Sequence, residues 1–229
     1  MTGRKPNKKN EDYFNQRSLQ SVYWAGFIAA RGTIYQPRSK SPLVVIKVRE
    51  AKEERLLKLL EHIEVSNIKI NTDIGIPAKG REPVVRKRLT LASSQWAADL
   101  KNIYNLPSSK TELYTPNITD DLEVQAYLLG YLDVGAYVNY RPSSSSYNSF
   151  SIIISGHLEF LNWVKGYVDK WCPPTNRLAA MPTVKTSRHA IYSVASSRAI
   201  NLYNLLSKLS IDKSATWNQQ FQSSQKKAA

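Results

Sequence analysis

The sequence predicts an α+β protein made of two copies of an αββαββα unit related by a pseudo-two-fold axis. Three internal matches carry this expectation. Tyr23-Trp24-Ala25-Gly26-Phe27-Ile28 matches Tyr127-Leu128-Leu129-Gly130-Tyr131-Leu132, 104 residues further on. Leu91-Ala92-Ser93-Ser94-Gln95 matches Val194-Ala195-Ser196-Ser197-Arg198 at a spacing of 103, and Ser109-Lys110-Thr111 matches Asp212-Lys213-Ser214 at the same spacing. Matches in one order at nearly constant spacing mark a duplicated unit.

Within each copy the hydrophobic periods assign the elements. In the first, residues 17–31 read as an apolar helix, followed by a short strand near Thr33–Arg38. The next strand, Leu43–Arg49, alternates Val44, Ile46 and Val48 with Val45, Lys47 and Arg49, the period-two pattern of a half-buried strand. Ala51–Ile63 places Leu56, Leu59, Leu60 and Ile63 at helical spacing. Strands near Asn67–Ile74 and Val84–Leu91 precede a helix near Gln95–Tyr104, which Pro107 stops. The second copy reads as a helix at 120–134, strands near Ala136–Arg141 and Ser149–Ser155, and a helix at His157–Trp171. Strands near Leu178–Lys185 and Arg188–Ala195 and a helix at Ser197–Leu209 complete it.

These elements divide the chain into a repeat at 13–106, a linker at 107–118 that carries two prolines, and a repeat at 119–218. Residues 1–12 and 219–229 are polar and charged, and are expected to be disordered tails, the first of them basic. Ser143–Ser146 is expected to be a loop between strands.

Composition narrows the partner. The chain of 229 residues carries 32 Lys and Arg against 18 Asp and Glu, a formal net charge of +14. Such an excess captures polyanions whatever the fold. No apolar run approaches the ~20 residues of a membrane span, so no membrane role is expected. The N-terminus lacks the apolar stretch of a secretory signal. A single cysteine, Cys172, excludes an intrachain disulfide and fits a reducing intracellular compartment, whether bacterial cytoplasm or nucleoid or an organelle matrix. With only His62, His157 and His189 beside it, no zinc site is expected, nor any other metal or cofactor.

Strand alternation exposes the face that does not meet the helices. In the first copy it offers Lys47, Arg49, Lys69, Asn71, Arg86, Arg88 and Thr90, while Val44, Ile46, Val48, Ile68, Ile70, Leu89 and Leu91 point to the core. In the second copy it is milder: Tyr137, Asn139, Arg141, Ser149, Ser151, Lys185, His189 and Ser193. A sheet that is apolar on one side and basic on the other suits phosphates and base edges. Lys47, Arg49, Lys69, Asn71, Arg86, Arg88, Thr90, Asn139, Arg141, Lys185 and His189 are the candidate nucleic-acid contacts.

The leading helices then bring a family into view. Trp24-Ala25-Gly26-Phe27-Ile28-Ala29-Ala30-Arg31-Gly32 and Leu128-Leu129-Gly130-Tyr131-Leu132-Asp133-Val134-Gly135-Ala136 resemble the nine-residue motif of LAGLIDADG homing endonucleases. The order and length of the copies resemble the single-chain, two-repeat members. The resemblance implies a monomer with internal pseudo-two-fold symmetry, whose two antiparallel sheets form a saddle over a DNA duplex with helices on the other face. It also implies that Gly26, Ala30 and Gly130 let the two motif helices pack closely.

Where the resemblance would supply chemistry, this sequence departs from it. The family places a carboxylate at the eighth motif position of each helix, and the pair holds divalent metal, which needs hard oxygen ligands. Here those positions are Arg31 and Gly135. Asp133 survives at the sixth position, two residues back and roughly 200° around the helix, where a helix-terminal or interhelical hydrogen-bonding role is expected. The basic or polar residue that the family tends to place near the end of the fourth strand aligns with Ala92 and Ala195; Lys110 and Lys213 are matched across the copies. No catalytic residues are therefore expected.

Sequence-specific binding of double-stranded DNA without cleavage, as in a transcriptional regulator, is the leading expectation. The alternatives are an RNA-binding intron maturase or structural partner of a large RNA, and a nuclease active through other ligands such as Asp133 with Glu50. A β-ribbon fits the major groove of B-form DNA, whereas that of A-form RNA is too narrow to read.

Overall fold

The computed structural model describes residues 10–38, 41–75, 82–107, 114–141, 149–174, 180–186, 189–209 and 211. Two αββαββα units follow one another. The first comprises α1 (Leu19–Arg31), β1 (Gly32–Tyr35), β2 (Leu43–Arg49), a single 3-10 turn (Glu50–Lys52), α2 (Glu53–His62), β3 (Asn71–Ile74), β4 (Val85–Ala92) and α3 (Ser94–Asn102). The second comprises α4 (Asp121–Gly135), β5 (Ala136–Arg141), β6 (Ser149–Gly156), α5 (Leu158–Trp171), β7 (Thr183–Thr186), β8 (His189–Ala195) and α6 (Ser196–Ser207). Each unit forms one four-stranded antiparallel sheet, ordered β1-β2-β4-β3 and β5-β6-β8-β7. The duplicated α+β class read from the sequence is the one observed.

Local chemistry starts the helices where the sequence places them. Ser18 caps α1 by accepting from Ser21 N at 3.1 Å. Asp120 caps α4 by accepting from both Leu122 N and Glu123 N at 3.0 Å, and Ser93 caps α3 through Trp96 N at 3.2 Å. Each satisfies backbone donors that a first helical turn leaves unpaired.

The centre of the molecule is the α1–α4 pair. From Val124 to Gly135 every residue of α4 is buried, so the helix is enclosed on all sides rather than amphipathic. The two helices meet at their glycines. A β-carbon on Gly26 would sit 1.9 Å from Tyr127 O, and one on Gly130 would sit 1.8 Å from Tyr23 O. Tyr23 and Tyr127 are themselves equivalent in the repeat, so the two close approaches are mates across the pseudo-two-fold axis. Around this seam lie Trp24, Phe27, Ile28, Leu128 and Leu132, all fully buried. The sheets close over the helices with Val44, Ile46, Val48, Leu89 and Leu91 on one side and Ile152, Ile154, Tyr192 and Val194 on the other.

Four expectations differ in detail. The strand expected over 67–74 pairs only from Asn71, because Glu64 and Asn67 adopt positive φ (54° and 64°) and bend the approach. Lys69 therefore lies outside the sheet, while Ile68 and Ile70 still pack on the core. The first strand ends at Tyr35, ahead of Pro37, which has no N–H to give a ladder. The expected disordered tail reaches too far: Asn10 N donates to Ile63 O at 3.3 Å, Trp96 Nε1 donates to Asn10 O at 2.9 Å, and Ser93 Oγ donates to Glu11 at 2.7 Å. Fourth, β7 spans only Thr183–Thr186 and has an irregular register. Residues 1–9, 108–113, 142–148 and 212–229, with the expectations on Lys110, Ser143–Ser146, Lys213 and the C-terminal tail, lie outside the described residues. Among the described residues, no helix is long and apolar enough to cross a membrane.

Candidate nucleic-acid interface

Register decides which side chains share the outer face of the first sheet. Lys47 pairs with Arg88, Arg49 with Arg86, and Val45 with Thr90, while Asn71 stands opposite Arg88. Directly opposed residues project to the same side, so Lys47, Arg49, Asn71, Arg86, Arg88 and Thr90 form one continuous face. Lys87 alternates to the helix side and pairs there with Glu50 at 3.4 Å and Glu53 at 3.1 Å.

The same register brings in a residue that the sequence reading missed. Asp73 stands opposite Arg86, on the basic face, with its carboxylate 3.0 Å from Lys47 Nζ and 3.4 Å from Arg88. Its parity with Asn71 along β3 was the available signal. Two of the basic side chains thus already have an anionic neighbour.

The others converge on the ends of the central helices. Arg31, the last residue of α1, donates from Nε to Val134 O of α4 at 2.8 Å. Lys52, in the turn ahead of α2, donates from Nζ to Asp133 O. Together with Arg49 and Arg86 these side chains line a polar cleft of about 520 Å³, whose far wall is Gly135, Ala136, Tyr137 and Ser155 of the second repeat. Burial first, and crowding among the cations second, disfavour the charged forms of Arg31 and Lys52. Desolvation lowers the Arg31 pKa; Tyr131 opposes this, and Arg49 and Arg86 reinforce it. Desolvation also lowers the Lys52 pKa, with Asp133 opposing and Arg31, Arg55 and Arg49 reinforcing. Lys52 was not singled out from the sequence, because its position in the cleft depends on the turn between β2 and α2.

Asp133 does not face this cleft. It is fully buried, 2.7 Å from Arg55 Nε, and accepts from the Tyr23 hydroxyl at 2.9 Å. Arg55 also donates to the Tyr23 hydroxyl. One charge-neutral cluster therefore joins α4 to α1 and α2. Glu50, its suggested partner, is exposed and lies beside Lys87.

The outer face of the second sheet is less charged. Tyr137 stands opposite Ile153, and Asn139 opposite Ser151; Tyr137 is 52% exposed. Arg141 ends β5, and its side chain lies outside the described residues. Lys185 falls at the register irregularity of β7, and His189 is exposed at the start of β8. His189 lines a second cleft of about 450 Å³ with Arg31, Gly135, Ser155 and His157.

The helix ends do not fit a divalent metal. The group at the first eighth motif position is a guanidinium, flanked by four further cations, Lys47, Arg49, Lys52 and Arg86, which would repel the ion. At the second, a β-carbon on Gly135 would meet the Tyr131 ring at 2.7 Å and Ala30 Cβ at 3.2 Å. The Tyr131 hydroxyl is tied to Ser155 O at 2.7 Å, so its ring fills the space that a carboxylate would need.

No family model and no curated protein sequence matches the chain. Solved structures do. The homing endonuclease I-WcaI bound to its DNA recognition sequence is 14% identical, over 95% of each chain, with a TM-score of 0.55. The LAGLIDADG meganuclease I-CpaMI bound to uncleaved DNA is 12% identical, over 90% of each chain, with a TM-score of 0.54. The I-LtrWI LAGLIDADG homing endonuclease bound to target DNA is 10% identical, over 96% of this chain and 90% of that one, with a TM-score of 0.53. The fold is the LAGLIDADG one.

Proposed function

We propose that this protein binds double-stranded DNA sequence-specifically through the outer faces of its two sheets, as a transcriptional regulator would, and does not cleave it. One observation carries the reading: where the fold brings two helix ends together, Arg31 stands with Arg49, Arg86 and Lys52 around Gly135. Phosphodiester hydrolysis by metal needs anionic ligands at the reacting phosphate, whereas phosphate binding needs the cations that this chain has. The net charge of +14 and the continuous face from Lys47 to Thr90 support a polyanionic partner. The structural neighbours carry DNA on the same fold, and β-strands of this width suit the B-form major groove.

Selection from a randomised duplex library, run beside a structured RNA pool, tests the assignment. Enrichment of one extended duplex motif is expected. Enrichment confined to the RNA pool would replace DNA with RNA as the partner, and enrichment in neither would remove the reading.

A further inference from the structure

We infer that the first-repeat cleft is a dedicated binding site for one phosphodiester group, in which the Arg31 guanidinium takes the place of a metal ion. The inference rests on the nucleic-acid reading and names the group that the site holds. Among the described residues, Lys47 and Arg88 share Asp73, and Lys87 is held by Glu50 and Glu53. Among the described residues, Arg31, Arg49 and Arg86 have no carboxylate within ion-pair distance, and all three line the same cleft. Cations left without counter-charge in one concavity are held there against mutual repulsion, and a bound dianion or monoanion relieves it. The Nε–H of Arg31 is spent on Val134 O. This fixes the plane of the guanidinium and leaves its two terminal nitrogens, the pair suited to a phosphate edge.

The pseudo-symmetry supplies an internal control. Gly32 pairs with Ile46 as Ala136 pairs with Ile154, and Ile46 pairs with Leu89 as Ile154 pairs with Tyr192. Counting along these strands, Arg49 corresponds to His157, Arg86 to His189, Lys47 to Ser155 and Arg31 to Gly135. The second cleft is lined by those counterparts, by Arg31 itself, and by Ile28 and Tyr114. It keeps Arg31 but lacks the first cleft's other four fixed positive charges, Lys47, Arg49, Lys52 and Arg86, so one anion site per molecule is expected rather than two.

The test titrates inorganic phosphate into the full chain above pH 7.5, following the ¹⁵N shifts of the arginine Nε–H groups and the histidine rings. Arg31, Arg49 and Arg86 should shift together on one saturable curve. Arg86→Ala should weaken it about tenfold or more, the loss expected for a charge-assisted contact, and Arg31→Lys, which retains the charge, should weaken it as well. His157→Ala should leave it unchanged. Unsaturable shifts, or a curve that follows the histidines instead, would overturn the site. A parallel gel-shift assay with duplex DNA separates the two readings. Duplex binding without a saturable phosphate site rejects the clamp alone; a saturable site without duplex binding supports the clamp and rejects the DNA reading.

Discussion

Gly26 and Gly130 set the distance between the two halves of the protein. With a β-carbon 1.9 Å or 1.8 Å from a carbonyl oxygen, neither position admits alanine unless the helices part along their length. Gly26→Ala and Gly130→Ala should each cost about 3 kcal/mol or more, at or beyond the upper end of ordinary overpacking, because backbone rather than a side chain is in the way. Urea unfolding measures this, and an unchanged midpoint would show that the helices are not in contact there. Asp133 makes a second prediction at this scale. Asp133→Asn removes the counter-charge of Arg55 while both stay buried, and breaking such a pair costs about 3–5 kcal/mol. The loss should appear as a lower denaturation midpoint with no change in duplex binding once folded. The glycines were legible in the sequence, as small residues at matched places in two apolar helices. The partner of Asp133 was not, since Arg55 is 78 residues away and only the fold of α2 beneath α1 brings it near.

At the scale of the strands, the basic face of the first sheet separates into neutralised and open halves. Asp73 on β3 neutralises Lys47 and Arg88 across three strands, while Arg49 and Arg86 face the cleft at the helix ends. Arg49→Ala and Arg86→Ala should therefore weaken duplex binding more than Lys47→Ala and Arg88→Ala. Each should also reduce the slope of log affinity against log salt by about 1, the mark of a lost phosphate contact. Asp73→Asn should raise affinity, because it releases two cations toward the phosphates. Equal losses at all four cations, or weaker binding by Asp73→Asn, would mean that Asp73 instead orients the face. Strand parity made the basic face legible from β2 and β4, whose alternation is long and clean. It failed at Lys69, because positive φ at Glu64 and Asn67 delays pairing until Asn71. Lys52 escaped because a cation in a turn carries no period.

For the molecule as a whole, duplication gives two sheets and two clefts, yet the charge is divided unequally between them. Arg31, Arg49 and Arg86 in one half answer to Gly135, His157 and His189 in the other. The same loss of symmetry removes the paired carboxylates, since one motif ends in a guanidinium and the other in a glycine whose side-chain space Tyr131 occupies. The overall architecture was legible because the repeat offset, the apolar helices and the strand alternation agree. The filling of the Gly135 site by Tyr131 was not, as it depends on a side-chain direction set by the hydrogen bond to Ser155. The central claim is a binder whose helix ends hold phosphate without metal. Its most direct test is to follow one labelled duplex, carrying the selected motif, with the protein in EDTA and in Mg²⁺ or Mn²⁺ at matched ionic strength. The account predicts binding in EDTA at least as tight as in the divalent ion, which competes for the phosphates, and intact strands throughout; strand cleavage, or binding that requires the metal, would contradict it.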